Sequence, residues 1–167
     1  FYGATRFGGD YDAGTLFRWS PMNAPEKKYQ FNFVDGAHPF SGLMRGTDGM
    51  FYGTASGGGG AVDCLGLGSD TPGCGRVFQW DPASPMPTVF HQFDGIDGGF
   101  PEAGLVQGID GAFYGGTGVG TKPGCTCGYG TLFRWDPING SGFTRLQYLF
   151  NEDGLFPNTL VKGVDGK

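Results

Sequence analysis

Short apolar and aromatic runs, broken by Gly, Asp and Pro, recur along the whole chain. Phe-Tyr-Gly stands at 1–3, 51–53 and 113–115. Gly-Thr-Leu-Phe-Arg-Trp follows at 14–19 and 130–135, with Gly-Arg-Val-Phe-Gln-Trp at 75–80 between them. A third run is Tyr-Gln-Phe-Asn-Phe (29–33), Val-Phe-His-Gln-Phe (89–93) and Leu-Gln-Tyr-Leu-Phe (146–150). Each leads into an acidic, Gly-containing loop that carries Pro39, Pro101 or Pro157. The fourth run is Gly42-Leu43-Met44, Gly104-Leu105-Val106 and Thr159-Leu160-Val161, and it ends at Asp48-Gly49, Asp110-Gly111 and Asp165-Gly166. The chain thus divides into repeats 1–50, 51–112 and 113–167 with nothing left over. It reads as a single repeat domain.

Each repeat predicts four short antiparallel strands. Asp-Gly between two apolar runs is a hairpin signal, here for a type I′ turn with positive φ at both central positions. The Gly-Leu-Val strand therefore pairs with the Phe-Tyr-Gly strand that follows. The Phe-Arg-Trp strand stops at Asp81-Pro82 and Asp136-Pro137, and at Ser20-Pro21 in the first repeat, because Pro cannot donate to a ladder. Asn139-Gly140 adds a further hairpin signal and is also part of a formal glycosylation sequon with Ser141. A period of about 50–60 residues with four strands belongs to propellers and arrays. A β-solenoid is the alternative, but its repeats are usually shorter and lack hairpin turns. The expected fold is all-β, built of three propeller-type blades.

Composition supports this and removes other classes. Of 167 residues, 35 are Gly, and Gly this dense disfavours helices. No Gly-X-Y period runs through the chain, which excludes collagen. Sixteen Phe, seven Tyr and three Trp supply a core, which argues against disorder. The net charge of −5 disfavours nucleic acid or an anionic membrane as partner. No apolar run reaches the roughly 20 residues of a membrane span. The chain opens inside a strand and shows no signal peptide, so it reads as a mature product or as part of a longer precursor. Four Cys, all in Gly-rich loops, suggest disulfides and an oxidising compartment.

The pattern Gly-x-Asp-Gly-x-Phe-Tyr-Gly, followed by Gly-Gly, Gly-x-x-Phe, Phe-Asp-Gly and Pro-x-x-Gly-Leu, resembles the GloVer tandem repeat of bacterial choice-of-anchor proteins. The likeness covers all three repeats and is clearest at Gly108 to Gly115 and Phe93 to Leu105. It implies a secreted or surface-anchored bacterial protein, a propeller, and no catalytic residues to carry over. Cys-bearing insertions at 60–74 and 118–129 read as departures from the pattern, as does a missing anchor.

Counted outward from the axis, the chain begins at the second strand of a blade and ends with a first strand. Asn158 to Lys167 would need Phe1 to Trp19 as its neighbour, giving a split terminal blade that avoids a free edge. Three blades are too few for a ring, since propellers have about 4–8. Three arrangements follow: two chains closing a six-bladed ring, a head-to-tail filament, or a fragment of a longer chain.

Blade topology places the acidic loops and the Cys-bearing Gly loops on one face, and the Asp-Gly hairpins and Asp-Pro corners on the other. Asp35, Asp94, Asp97, Glu102, Glu152 and Asp153 are the candidate ligand or cation loop, with Ca²⁺ the cofactor such oxygens would suit. The competing reading is that these Asp residues cap turns. Asp48, Asp110 and Asp165 read as turn residues. Trp19, Trp80 and Trp135 share one repeat position, where packing between blades is favoured over stacking on sugar rings. Arg18, Gln79 and Arg134 face solvent or cover aromatic faces. Cys64, Cys74, Cys125 and Cys127 allow three pairings: 64–74 with 125–127, or a pairing across blades such as 64–125 with 74–127. Zinc spacing is absent. His38 and His91 are non-equivalent, His91 reading as a surface residue, and no nucleophile elbow, metalloprotease motif or phosphate loop occurs.

The expectation is therefore a non-enzymatic extracellular or cell-surface protein that assembles with copies of itself through terminal strand exchange. The alternative is a carbohydrate- or ligand-binding propeller module.

Overall fold

The computed structural model describes residues 1–60, 64, 72–120, 130–137, 142–150, 152 and 156–163. The described residues form three antiparallel sheets and no α-helix. Sheet 1 contains β1 (Tyr2–Thr5), β2 (Thr15–Arg18) and β3 (Glu26–Gln30) in the order β1-β2-β3. Sheet 2 contains β4 (Met44–Arg45), β5 (Phe51–Ala55), β6 (Arg76–Trp80) and β7 (Thr88–Gln92) in chain order. Sheet 3 repeats this with β8 (Val106–Gln107), β9 (Phe113–Thr117), β10 (Thr131–Asp136) and β11 (Gly142–Tyr148). The sheets do not close on one another.

Sheet 2 lies between the other two, and each of its faces contributes to a separate core. Phe78 and Trp80 pack with Leu16, Phe31 and Ala55 between sheets 1 and 2. Tyr52 and Val77 pack with Phe93, Phe113, Phe133 and Trp135 between sheets 2 and 3. This explains why β5 and β6, both in the central sheet, are buried on both faces, which is the mark of a strand covered on both sides. The third run starts earlier than its aromatic signature suggests. β3 includes Glu26, Lys27 and Lys28, and Phe31 and Phe93 fall just beyond their strands. One bulge recurs at the same register in each sheet, between Leu16/Phe17, Val77/Phe78 and Leu132/Phe133. A bulge sharpens local twist.

The Gly of Phe-Tyr-Gly is not a turn residue. It sits in mid-strand, opposite the Phe of the neighbouring strand: Gly3 faces Phe17, Gly53 faces Phe78 and Gly115 faces Phe133. A Cβ on Gly53 would stand 2.7 Å from Phe78 Cζ, and one on Gly3 2.6 Å from Phe17 Cζ. The ring lies across the bare backbone, a close approach that only Gly permits.

The Asp-Gly hairpins also differ from expectation. Gly49 and Gly111 have φ of +85° and +81°, but Asp48 and Asp110 are not in the positive-φ region. Gly49 N donates to Gly46 O (3.0 Å) and Gly46 N to Met50 O (2.9 Å), and Gly111 and Gly108 repeat both bonds. These are three-residue loops closed by a left-handed Gly rather than type I′ turns, because the Asp side chain is committed to the residues that follow it.

Links between sheets are held by a residue in an unusual conformation. His38, Phe100 and Phe156 each precede Pro, and each has positive φ, at 54°, 52° and 53°. His38 N donates to Ala13 O (2.8 Å) in sheet 1, and His38 O accepts from Ser56 N (3.1 Å) in sheet 2. Phe100 does the same between Cys74 O and Gly118 N, at 2.9 Å each. The residue therefore splices a loop of its own sheet to the end of the second-run strand in the next. Its left-handed strain costs about 1–3 kcal/mol, and the two buried backbone bonds offset it. Pro39 and Pro101 then seat against Gly14 and Gly75, where a Cβ would lie 2.7 Å and 2.6 Å from the ring Cδ. Pro157 instead rests over Gly116, and 157–163 form no ladder strand, so among the described residues this segment does not pair with Phe1 to Trp19.

Gly53→Ala is expected to destabilise the fold by about 1–3 kcal/mol through overpacking against Phe78. Gly42→Ala, at a site with no atom within 4 Å, is expected to be nearly neutral. Urea unfolding of both variants checks the pair.

Candidate functional site

The loops that follow the third runs were the leading sequence candidates, and their carboxylates are engaged in building turns. Asn32 Oδ1 accepts from Val34 N and Asp35 N, while Asp35 Oδ1 accepts from Asn32 N (3.0 Å). Asp94 and Asp97 repeat this in sheet 2: Asp94 Oδ1 accepts from Ile96 N (2.8 Å) and Asp97 N (2.9 Å), and Asp97 Oδ1 from Asp94 N (3.0 Å). The other oxygen of the second Asp reaches back to the strand. Tyr29 OH donates to Asp35, and His91 Nε2 pairs with Asp97 Oδ2 at 2.7 Å. Asp97 O also accepts from Thr131 Oγ1 (3.0 Å), which ties the loop to sheet 3. Asp35, Asp94 and Asp97 are thus each brought into a loop, but singly or in pairs. Glu102 is half-buried, Glu152 is exposed, and Asp153 lies outside the described residues. Among the described residues no three His, Cys, Asp or Glu side chains gather as a metal site would require.

His91 is not the surface residue that its strand position suggests. Its side chain is only 17% exposed, and its ring stacks on Phe143 of sheet 3 at 3.5 Å and 3°. Tyr29 holds the same register position in sheet 1 and packs against the core between sheets 1 and 2. Burial raises the Tyr29 phenol above its ordinary value, and Asp35 reinforces the shift. At Asp94 burial acts upward, but hydrogen bonds from Asp97 and Ile96, with the His91 charge, outweigh it and hold the carboxyl below its ordinary value.

At the opposite ends of the strands the hairpin Asp residues do more than turn the chain. Asp48 accepts from Met50 N (3.0 Å) and Tyr52 OH (2.6 Å), and Gln79 Nε2 donates to that phenol at 2.7 Å. Burial and then Asp48 push the Tyr52 hydroxyl up to about 12, against the Gln79 bond. Asp110 accepts from Ala112 N (3.2 Å), Tyr114 OH (2.9 Å) and Arg134 Nη2 (3.0 Å). Bonds from Arg134 and Tyr114 hold the Asp110 carboxyl below its ordinary value. Arg134 also bridges to Asp136, whose side chain is 2% exposed. Arg134 and Gln79 therefore serve these clusters. The Asp-to-Tyr spacing of four residues was visible in the sequence; its role as a cross-hairpin bond was not read from it. Asp165 lies outside the described residues.

Cys64 and Cys74 form a disulfide with Cα atoms 5.2 Å apart, both buried against the core of sheets 2 and 3. Of the alternatives, this is the bridge within one loop, and the cross-sheet partner for Cys64 is not used. Cys125 and Cys127 lie outside the described residues. Trp80 and Trp135 are 1% and 3% exposed between sheets, as packing predicted, whereas Trp19 is 37% exposed on the outer face of sheet 1.

With the architecture established, the comparison with known families is decisive. The model of the Gloeobacter/Verrucomicrobia repeat matches residues 1–167. The chain belongs to this repeat family. No curated protein matches it. The match covers every element described above.

Among the described residues, two places lack the partner that their equivalents have. β1 has a bare edge where β5 and β9 receive β4 and β8. The outer face of sheet 3 forms a groove of about 500 Å³ lined by Val106, Tyr114, Leu132, Leu146, Leu160 and Val161. The sequence marks this groove only as a third copy of positions that Tyr52, Leu16 and Val77 hold buried.

Asp97→Ala is expected to cost about 1–3 kcal/mol, since it leaves Asp94 N and His91 without their acceptor; thermal unfolding at neutral pH measures it. Burial pushes the His38 imidazole below its ordinary value; a backbone acceptor at Asp12 opposes this and Arg6 reinforces it. The unfolded chain then takes up the proton first, so stability is full above the unfolded value of about 6.5 and falls as pH drops through the lower folded value. His38→Asn, which tolerates positive φ, should flatten the stability profile between about pH 7.5 and about pH 5. Denaturant midpoints at the two pH values give the comparison.

Proposed function

We propose that this protein is a secreted, non-enzymatic structural repeat protein whose copies join by exchanging a terminal strand, with its sheets acting as β-propeller-type blades. One observation carries the reading. Sheet 1 holds three strands with β1 bare, while Thr159-Leu160-Val161-Lys162-Gly163 repeats the β4 and β8 segments and pairs with nothing in a ladder. In the other sheets Met44 faces Tyr52 and Arg45 faces Phe51, and Val106 and Gln107 face Tyr114 and Phe113. By the same register Val161 of one copy faces Tyr2 of another, and Lys162 faces Phe1. An unpaired edge is a template for another chain. Strand addition from a second copy satisfies it with the pairing that the fold already uses twice.

The buried Cys64–Cys74 bridge fits an oxidising, extracellular setting. A carbohydrate-binding module would draw on the three repeated Trp, but Trp80 and Trp135 are enclosed between sheets. The acidic loops use their Asp oxygens for turns, and a bound Ca²⁺ has no part in the structural role.

Sedimentation analysis of the purified chain is the test. The expected species are multiples of 17.7 kDa, reduced to a monomer when residues 158–167 are deleted. A full chain that stays monomeric at all concentrations, or a deleted chain that assembles like the full one, would overturn strand exchange.

A further inference from the structure

The two contacts between sheets are made from the same pair of faces. One face presents the Tyr of the second-run strand, joined in the second contact by Phe90 of the last strand, where sheet 1 carries Lys28. The opposing face presents the Phe and Trp of the next sheet. Between sheets 1 and 2, the Tyr2 ring lies 4.7 Å from Phe51 and 5.9 Å from Trp80. Between sheets 2 and 3, Tyr52 lies 4.1 Å from Phe113 and 5.8 Å from Trp135, and Phe90 covers Trp135 at 4.4 Å. A polar seam closes the second contact, where Thr47 N donates to Gln107 Oε1 at 2.9 Å.

Each face occurs a third time without its counterpart. Sheet 3 turns Tyr114, Leu132 and Leu146 outward, and these line the groove. Leu146 takes the register position of Phe90, since Arg145 faces Phe133 as Val89 faces Phe78. It is 50% exposed. Sheet 1 turns Phe1 and Trp19 outward, in contact with each other at 5.4 Å. Phe1 is 76% exposed where Phe113, at the same repeat position, is 1% exposed. The two uncovered faces are thus the two halves of a contact that the chain makes twice internally.

We infer that the outer face of sheet 3 docks on the outer face of sheet 1 of a second copy. Tyr114 then covers Phe1 and Trp19, as Tyr52 covers Phe113 and Trp135, and Leu146 covers Trp19 as Phe90 covers Trp135. Leu160 lines the same groove. It holds the sequence position of Leu43 and Leu105, which pack inside the two internal contacts. The segment that would donate the exchanged strand therefore already lies beside the docking face. The contact is heterologous: different patches meet, so copies add head to tail and either close a ring or run on as a filament. This rests on the reading that copies assemble, and it adds which faces meet and in which direction.

The test uses two full-length variants, each spoiling one face. Leu146→Glu disables the sheet 3 face and Trp19→Glu the sheet 1 face. Both positions are solvent-exposed in the single chain, and matching melting temperatures verify the fold; Phe1→Glu replaces Trp19→Glu if the latter unfolds. Each variant alone is expected to weaken association by about 30-fold or more, the loss of a central aromatic or apolar anchor. Mixed, they are expected to form a one-to-one dimer and nothing larger, because one intact pair of faces remains. Either variant assembling like the parent, or a mixture that recovers no dimer, overturns the proposal. Strand exchange fails separately: if only the faces are wrong, both variants assemble while the chain lacking 158–167 does not. If only the exchange is wrong, the deleted chain keeps the association that Tyr114, Leu132 and Leu146 supply, while the variants lose it.

Discussion

The aromatic ring laid over a strand glycine is the contact from which the rest of the architecture follows. Phe78 reaches sheet 1 because Gly53 leaves its path empty, and Phe133 reaches sheet 2 over Gly115. A side chain at the glycine would lift the ring and open the gap between sheets. With the ring flat, the sheets approach closely enough for Tyr52 to meet Phe113 and for His91 to stack on Phe143. Hydrophobic burial supplies the driving force, and the missing Cβ sets the distance at which it acts.

Links between the sheets obey a second constraint. A residue that precedes Pro is ordinarily pushed toward extended backbone. His38 and Phe100 are held in left-handed backbone instead, because both of their peptide groups are claimed, one by each sheet. The Asp35 and Asp97 loops then fix the entry to this splice through turns and through Tyr29 and His91. Carboxylates that look available for a cation when read along the chain are consumed in shaping the connection.

The strands up to β11 and the pairing of each Gly-Leu strand with the following Phe-Tyr-Gly strand were legible, because period and turn residues specify them locally. Burial of Trp80 and Trp135 was legible for the same reason. The mid-strand role of Gly53 was not, since a glycine beside a turn and one under a ring look alike in one dimension. His91 was misread because alternation reports which side of its own strand a residue occupies, and both sides of sheet 2 are covered. The left-handed His38 left no trace, as nothing about His-Pro announces positive φ. At the candidate site, the Asp residues were found but their hydrogen-bond partners, two to six residues away, were not. Of the Cys alternatives, Cys64–Cys74 needed three dimensions to choose.

The splice through His38 and Phe100 has a thermodynamic corollary. Each bonds to two sheets at once, so neither link can form until the sheets on both sides have formed. The molecule then behaves as a short one-dimensional lattice with nearest-neighbour coupling. Sheet 2 has two neighbours, while sheets 1 and 3 have one each. Local opening accordingly begins at the outer sheets and moves inward, and amides of β5 and β6 exchange last. Adding a neighbour at either end would convert a terminal sheet into an interior one, so that stability rises with the length of the array rather than with any change in sequence.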